Sequence, residues 1–241
     1  MNQPSSLVGE PGARRVTPFL FLLVIGCFFL AFAGVSCNTD ATKAGLHSLA
    51  GAGGATKSQT ASLDTCLDAM KNVNVVNYTG WDLVFGKDPS IASLPDACDT
   101  GTSVSARDAS QVNLGPQALA ILGVIAGGLA LLWALAGSFG IVRGRTRAIA
   151  SIIFGIATGA LLLLEQQHAH DVLLARITAS AGSTVPGFSA STYFNVNPGI
   201  GLLIALLLLV AAVLYNIAAV IIGEGPAEVV VPAILEPQPP P

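Results

Sequence analysis

Four side chains with proton- or metal-binding chemistry fall within one short stretch: Glu165, His168, His170 and Asp171. Imidazole and carboxylate together suit zinc or copper. A histidine there could also sense pH. On a continuing helix Glu165 and His168 would share a face, with Asp171 at the next three-residue step. No second cluster supplies the rest of a coordination sphere. The plainer expectation is therefore a helix end dressed with polar groups at headgroup level, with no metal and no cofactor. Other chemistry is thinner still. The eight Asp between residues 38 and 114 lack the D-x-D-x-D-G spacing of a calcium loop, so they read as turns and solvated surface. Asn77-Tyr78-Thr79 matches a glycosylation sequon, which matters only in a secretory host. There is no G-x-S-x-G, Walker, H-E-x-x-H or dinucleotide fingerprint, and the chain is not expected to be an enzyme.

The elements that would carry this cluster follow from composition. Of 241 residues 52% are hydrophobic and only 10% are charged. A soluble domain carries about a quarter charged residues. Four apolar runs, near residues 18–35, 118–142, 148–164 and 199–222, approach the 17–25 residues that cross a core of about 30 Å. No Asp, Glu, Lys or Arg interrupts them, which disfavours an ion pump or proton-coupled carrier. In hydrocarbon the backbone must satisfy its own hydrogen bonds, so such runs are expected as helices. Tyr215 and Asn216 are polar exceptions that helix-to-helix hydrogen bonding would explain. The expected fold class is an all-α transmembrane bundle of four helices with a small extracytoplasmic α+β loop domain.

The segments divide as follows. Residues 1–15 form a disordered cytoplasmic N-terminus and 16–37 the first span. Residues 38–114 form the extracytoplasmic loop domain, 115–142 the second span and 143–147 an Arg-rich cytoplasmic turn. Residues 148–165 make the third span, 166–198 a second extracytoplasmic loop, 199–222 the fourth span and 223–241 a Pro-rich cytoplasmic tail. Orientation rests on Arg14, Arg15, Arg143, Arg145 and Arg147, which belong on the cytoplasmic side. Both termini are then cytoplasmic, in a cell (plasma) membrane. A net charge of −3 without a basic run gives no sign of nucleic-acid binding.

Within the first outer segment, residues 38–61 are rich in Gly, Ala, Ser and Thr and read as flexible or loosely packed. The stretch from Leu63 to Met70 has helical character. Val73 to Thr79 suggests a strand, and Trp81 to Gly86 a second one. Cys27 lies inside the first run, and Cys37, Cys66 and Cys98 lie outside it. A Cys66–Cys98 bridge would staple the folded part and contribute roughly 3–4 kcal/mol. Cys37 is then the odd thiol, with Cys37–Cys66 and Cys37–Cys98 as the alternatives. Ala31-Phe32-Ala33 resembles a signal-cleavage site, but the run before it is longer than a signal peptide's apolar region, which favours an uncleaved span. Cleavage before Cys37, with lipidation there, is a weaker reading. Small residues repeat at four-residue spacing at Gly123 and Gly127 and at Ser151, Gly155 and Gly159, a pattern that lets helices approach closely.

The chain resembles a group of uncharacterised actinobacterial four-span membrane proteins. Three features carry the resemblance. They are Phe32-Ala33-Gly34-Val35-Ser36-Cys37, the stretch from Tyr78 to Gly86, and the Arg-flanked hairpin followed by a Leu-rich fourth run. The likeness covers about residues 16–223 and implies topology, not activity. Claudins and tetraspanins share only the layout, because the tetraspanin Cys-Cys-Gly and the claudin Gly-Leu-Trp with paired cysteines are missing. The expected function is a non-enzymatic envelope anchor, scaffold or accessory subunit. It would contact the lipid bilayer and a membrane or envelope protein partner. The alternative is a small-molecule, metal or ion-handling or sensing protein that uses the stretch from Glu165 to Asp171.

Overall fold

A computed structural model describes residues 13–222 apart from 54–56, 72, 94, 99–111, 143 and 183–188. The molecule is mostly helical, with one small antiparallel sheet. Helix α1 covers Ala13–Cys27, strand β1 Ala31–Cys37, α2 Thr39–Gly53, α3 Lys57–Ala69, β2 Asn74–Thr79 and α4 Gly80–Phe85. Strand β3 is Ser90–Ile91, followed by a 3-10 turn at Asp96–Cys98. Helix α5 covers Ala118–Ser138, α6 Gly144–Gly182, α7 Ala190–Tyr193, β4 Phe194–Pro198 and α8 Ile200–Ile222.

Three helices are long and apolar enough to cross a membrane, over Ala118–Ser138, Arg145–Ala179 and Ile200–Ile221. They suggest a membrane protein. Small residues set their spacing. The buried positions of α5 are Ala120, Gly123, Gly127, Ala130, Ala134 and Gly137, a stripe that repeats by threes and fours. A side chain at Gly123 would meet Leu162 of α6, and one at Gly127 would meet Thr158. At Gly137 it would strike the aliphatic stem of Arg147, which is itself buried. Gly155 instead opens toward Val213 of α8 and Phe21 of α1, and Gly159 toward Leu209 of α8. Ser151 is fully buried. The two small-residue stripes thus serve different neighbours. Helix α1 lies against α8, where Thr17 and Asn216 share a buried hydrogen-bonded contact at 3.4–3.5 Å. Asn216 also donates to the Ala212 carbonyl one turn back, at 2.7 Å.

The first apolar run departs from the expected single helix over residues 16–37. Helix α1 ends at Cys27, and the chain turns and becomes β1, one of the two inner strands in the sheet order β3-β2-β1-β4. From Phe32 to Ser36 every residue is buried. A strand covered on both faces is continuously apolar, so it looks like more of the same span. β1 pairs antiparallel with β2 (Val35 opposite Val76) and with β4 (Val35 opposite Val196). Side chains reinforce the second seam, where Asn197 Nδ2 donates to Ser36 Oγ at 2.9 Å. The chain also passes very close to itself where β4 meets α8. A Cβ at Gly199 would lie 2.5 Å from the Ala31 carbonyl carbon.

Other expectations are corrected as well. The stretch from Trp81 to Gly86 is a helix, not a strand. Thr79 and Asp82 exchange side-chain-to-backbone hydrogen bonds in a capping box, and Gly86 ends the turn in the left-handed conformation at φ 65°. The Gly/Ala-rich segment holds helix α2 over Thr39–Gly53 instead of loose chain. Asn38 caps it by accepting from the Ala41 N–H at 3.3 Å, and alanine favours the helix interior. Helix α2 packs on α3 through Lys43–Asp68 at 2.6 Å and His47–Asp64 at 3.1 Å. The second loop is not a loop at its start, because α6 runs 39 residues to Gly182. Arg145 and Arg147 belong to the first turn of α6 rather than to a connecting turn. Arg143, residues 1–12 and the tail from 223 onward lie outside the described residues, as do the side chains of Arg14 and Arg15. The expected strand before Thr79 (β2) and the helix around Leu63–Met70 (α3) are present. So is the Cys66–Cys98 disulfide, with Cα atoms 4.7 Å apart.

Candidate functional site

The four cluster residues ride on α6, but the helix does not bring them together. The buried stripe of α6 runs Thr158, Leu162, Glu165, Ala169, Leu173. Glu165 is on it and is 3% exposed. His168 and Asp171 are exposed. Three residues set His168 about 60° around the helix from Glu165, and at the edge of the buried stripe that is enough to pass from core to surface. Glu165 and His168 are neighbours by spacing, but one is buried and the other exposed. His170 Nδ1 and Asp171 Oδ1 lie 3.1 Å apart on adjacent residues at the surface. Among the described residues, no group of three or more His, Cys, Asp or Glu side chains is placed to hold a metal ion.

Two smaller sites take the cluster's place. One is an open groove of about 410 Å³ between α6 and β4, lined by Gln166, Gln167, His170, Asp171, Val196 and Pro198. Its polar wall comes from α6 and its apolar floor from the strand. Amide, imidazole and carboxylate there can hydrogen-bond a small polar group. The other is the carboxylate of Glu165. It faces the start of α5, beside the Ala120 N–H. Neither of its oxygens has a hydrogen bond of full geometry. Gln117 occupies the N-cap position of α5 without capping it. Its amide instead donates backward to the Leu114 and Gly115 carbonyls, at 2.8 Å and 3.3 Å. The first turn of α5 is thus without a side-chain cap. A buried carboxyl with no hydrogen-bond partner costs stability, so Glu165→Leu should raise the midpoint of thermal unfolding in detergent, by the equivalent of about 1–2 kcal/mol. Glu165→Gln, which keeps a buried polar group, should gain less. A lower midpoint for Glu165→Leu than for the parent chain would contradict this.

Asn113 is a junction that sequence reasoning did not single out. Its amide donates to Asp88 Oδ1 at 2.7 Å and to the Gly86 carbonyl at 3.1 Å, and its side-chain oxygen accepts from the Gly115 N–H at 2.6 Å. Arg176 of α6 donates to its backbone carbonyl. Next to it, Tyr78 of β2 donates its hydroxyl proton to the Val112 carbonyl at 2.5 Å. Sheet, α4 and α6 therefore meet at the entry to α5. The Asn113-Leu114-Gly115-Pro116 turn chemistry was the available signal. Burial pushes the Tyr78 phenol well above its usual value, and the Arg176 charge offsets this only in part. A folded-state value raised above the unfolded one means that the stability gained is complete below pH 10 and declines as pH rises past it. Unfolding at alkaline pH should therefore steepen above about pH 10 and should flatten in Tyr78→Phe. Identical alkaline profiles for the two chains would contradict this.

The cysteines outside the disulfide are quiet. Cys27 is buried in α1, and Cys37 is half-buried at the end of β1, opposite Phe194. Burial pushes the Cys37 thiol up, away from the thiolate that reacts. Comparison with known proteins finds no family model, no curated protein and no solved structure that matches the chain.

Proposed function

We propose that the chain is a plasma-membrane protein that crosses the bilayer four times and keeps both termini in the cytoplasm. On this reading α1 makes the first crossing, and the sheet with α2 and α3 lies outside. The Arg residues at positions 14, 15, 143, 145 and 147 favour that orientation. The outer unit acts as a non-enzymatic anchor, scaffold or accessory subunit that contacts a membrane or envelope protein. One observation carries the non-enzymatic part. Several chemistry-bearing side chains of the unit are engaged with one another: Lys43–Asp68, His47–Asp64, Asn113–Asp88 and Cys66–Cys98. Such pairs hold a shape and leave little for turnover.

The test is affinity purification of the whole chain from its native membrane in mild detergent. A protein partner should co-purify at unchanged stoichiometry with the His168→Ala/His170→Ala chain. It should be lost with Leu63→Asp, which charges an exposed apolar position on α3. A partner insensitive to Leu63→Asp, or no partner at all, counts against the scaffold role. The groove between α6 and β4 supports a second reading, recognition of a small polar molecule or ion at the membrane surface. That reading requires a metal- or pH-dependent response that the double alanine chain loses.

A further inference from the structure

We infer that helix α4, with the turn that ends α1, is a membrane-surface element. Its aromatic side chains sit in the headgroup layer of the outer leaflet, and the bilayer is their partner. The inference rests on the membrane-crossing reading above and adds where the boundary falls. Three observations lead to it.

The first is length. The apolar part of α1, Val16–Cys27, is 12 residues. At 1.5 Å per residue it spans about 18 Å, against a hydrocarbon core of about 30 Å. Helix α5, with 21 residues, spans about 32 Å and fills that core by itself. The start of α5 therefore marks the outer boundary. The end of α1 is level with the first turn of α8, where Gly201 lies against Leu30 and the Cys27 carbonyl. The turn that leaves α1 there must satisfy its backbone internally. Phe28, Phe29 and Leu30 close a turn with hydrogen bonds to the Ile25, Gly26 and Cys27 carbonyls at 2.9–3.1 Å, and β1 then enters the sheet.

The second is attachment. Helix α4 is tied to that boundary at two points. The Trp81 N–H donates to the Phe28 carbonyl at 3.1 Å, and the Gln117 N–H donates to the Leu83 carbonyl at 2.8 Å. It bridges the end of α1 and the beginning of α5, and so lies along the boundary that α5 sets.

The third is the surface it presents. Trp81 stacks on Phe85 with ring centroids 5.4 Å apart and touches Phe28 and Phe29 at 5.8 Å and 5.5 Å. The outer rings of the group stay open, with Phe29 71% and Phe85 61% exposed. This patch is continuous along α1 with the exposed Leu22 and Leu23, the surface that would face lipid. Aromatic rings are enriched where hydrocarbon gives way to headgroups. A water-facing patch of this kind on the outer unit would instead attract other proteins.

The chain has two tryptophans, which makes depth measurable. The full chain carrying Trp133→Phe reports on Trp81, and the one carrying Trp81→Phe reports on Trp133 within α5. Each goes into phosphatidylcholine vesicles brominated either close to the acyl carbonyls or deep in the chains, with aqueous iodide as the opposing quencher. Shallow bromines are expected to reduce Trp81 emission about twofold and deep bromines distinctly less, with iodide ineffective. Trp133 should respond to deep bromines. If Trp133 is quenched by lipid while Trp81 answers only to iodide, α4 faces water and the inference is overturned, although the membrane reading stands. If neither tryptophan answers to lipid, the membrane reading itself is overturned, and the inference with it.

Discussion

Gly199→Ala should cost the protein most of its folded population in detergent, although only one methyl group is added. The reason is where the methyl would go. At Gly199 the chain leaves β4 for α8, and its N–H donates to the Phe32 carbonyl at 2.8 Å. A Cβ there would fall on the Ala31 carbonyl, 2.5 Å from its carbon and 2.9 Å from the Phe32 carbonyl carbon. These obstacles are backbone atoms in an inner strand of the sheet, not flexible side-chain tips. Overpacking usually costs about 1–3 kcal/mol, and a collision with hydrogen-bonded backbone belongs at or above the top of that range. The proper control is Gly128→Ala on α5, where a Cβ would meet nothing within 4 Å. It should melt as the parent chain does or slightly higher, because alanine is the better helix former. Monodispersity after a temperature ramp reads both. Equal survival of Gly199→Ala and Gly128→Ala would mean that β1 and α8 are not joined as described.

The second large effect belongs to the disulfide. Cys66 is on α3 and Cys98 in the 3-10 turn, and the loop they close contains β2, α4 and β3. That loop holds half of the four-stranded sheet and the α4 helix. Removing the bridge with Cys66→Ser/Cys98→Ser frees about 32 residues of chain in the unfolded state. The chain-entropy model sets the loss at about 3–4 kcal/mol. The expected readout is a lower denaturant midpoint and rapid proteolysis within the loop, while the helices from α5 onward stay protected. A double-serine chain that resists protease as well as the parent would show that the staple is dispensable.

These two sites differ in how visible they were beforehand. The bridge could be read from spacing, because Cys66 and Cys98 bracket the one segment outside the apolar runs with strand and helix character. β2 was equally open, since Val73 to Thr79 carries β-branched and aromatic residues. The continuation of α6 past Leu164 was anticipated only conditionally. Gly199 was hidden. Glycine next to proline reads as a turn, and nothing local says that another strand passes within a methyl's width. The stretch from Phe32 to Ser36 looks like membrane span in the sequence for a general reason. Two-sided burial and immersion in lipid select the same side chains, so only the pairing with β2 and β4 separates them. Trp81 and Phe85 drew a strand reading from their aromatic content, while the signal that decided the matter was the pair Thr79 and Asp82 before Gly86. Glu165 and His168 were grouped by their chemistry. The burial of α6 puts one in the core and the other at the surface, because which face is inside depends on α5 and α8 and not on α6.

The sheet order has a bearing on how the chain is made. β1 leaves the ribosome early, yet one of its two neighbours, β4, follows about 160 residues later, and Thr17 waits for Asn216 across 199 positions. Until Phe194–Pro198 is synthesised, one rim of β1 lacks its partner strand. The last helix thus works as a clasp. A nascent chain halted before it carries an open strand edge, the kind of seam that aggregates or recruits a chaperone, and closure comes only with the last helix.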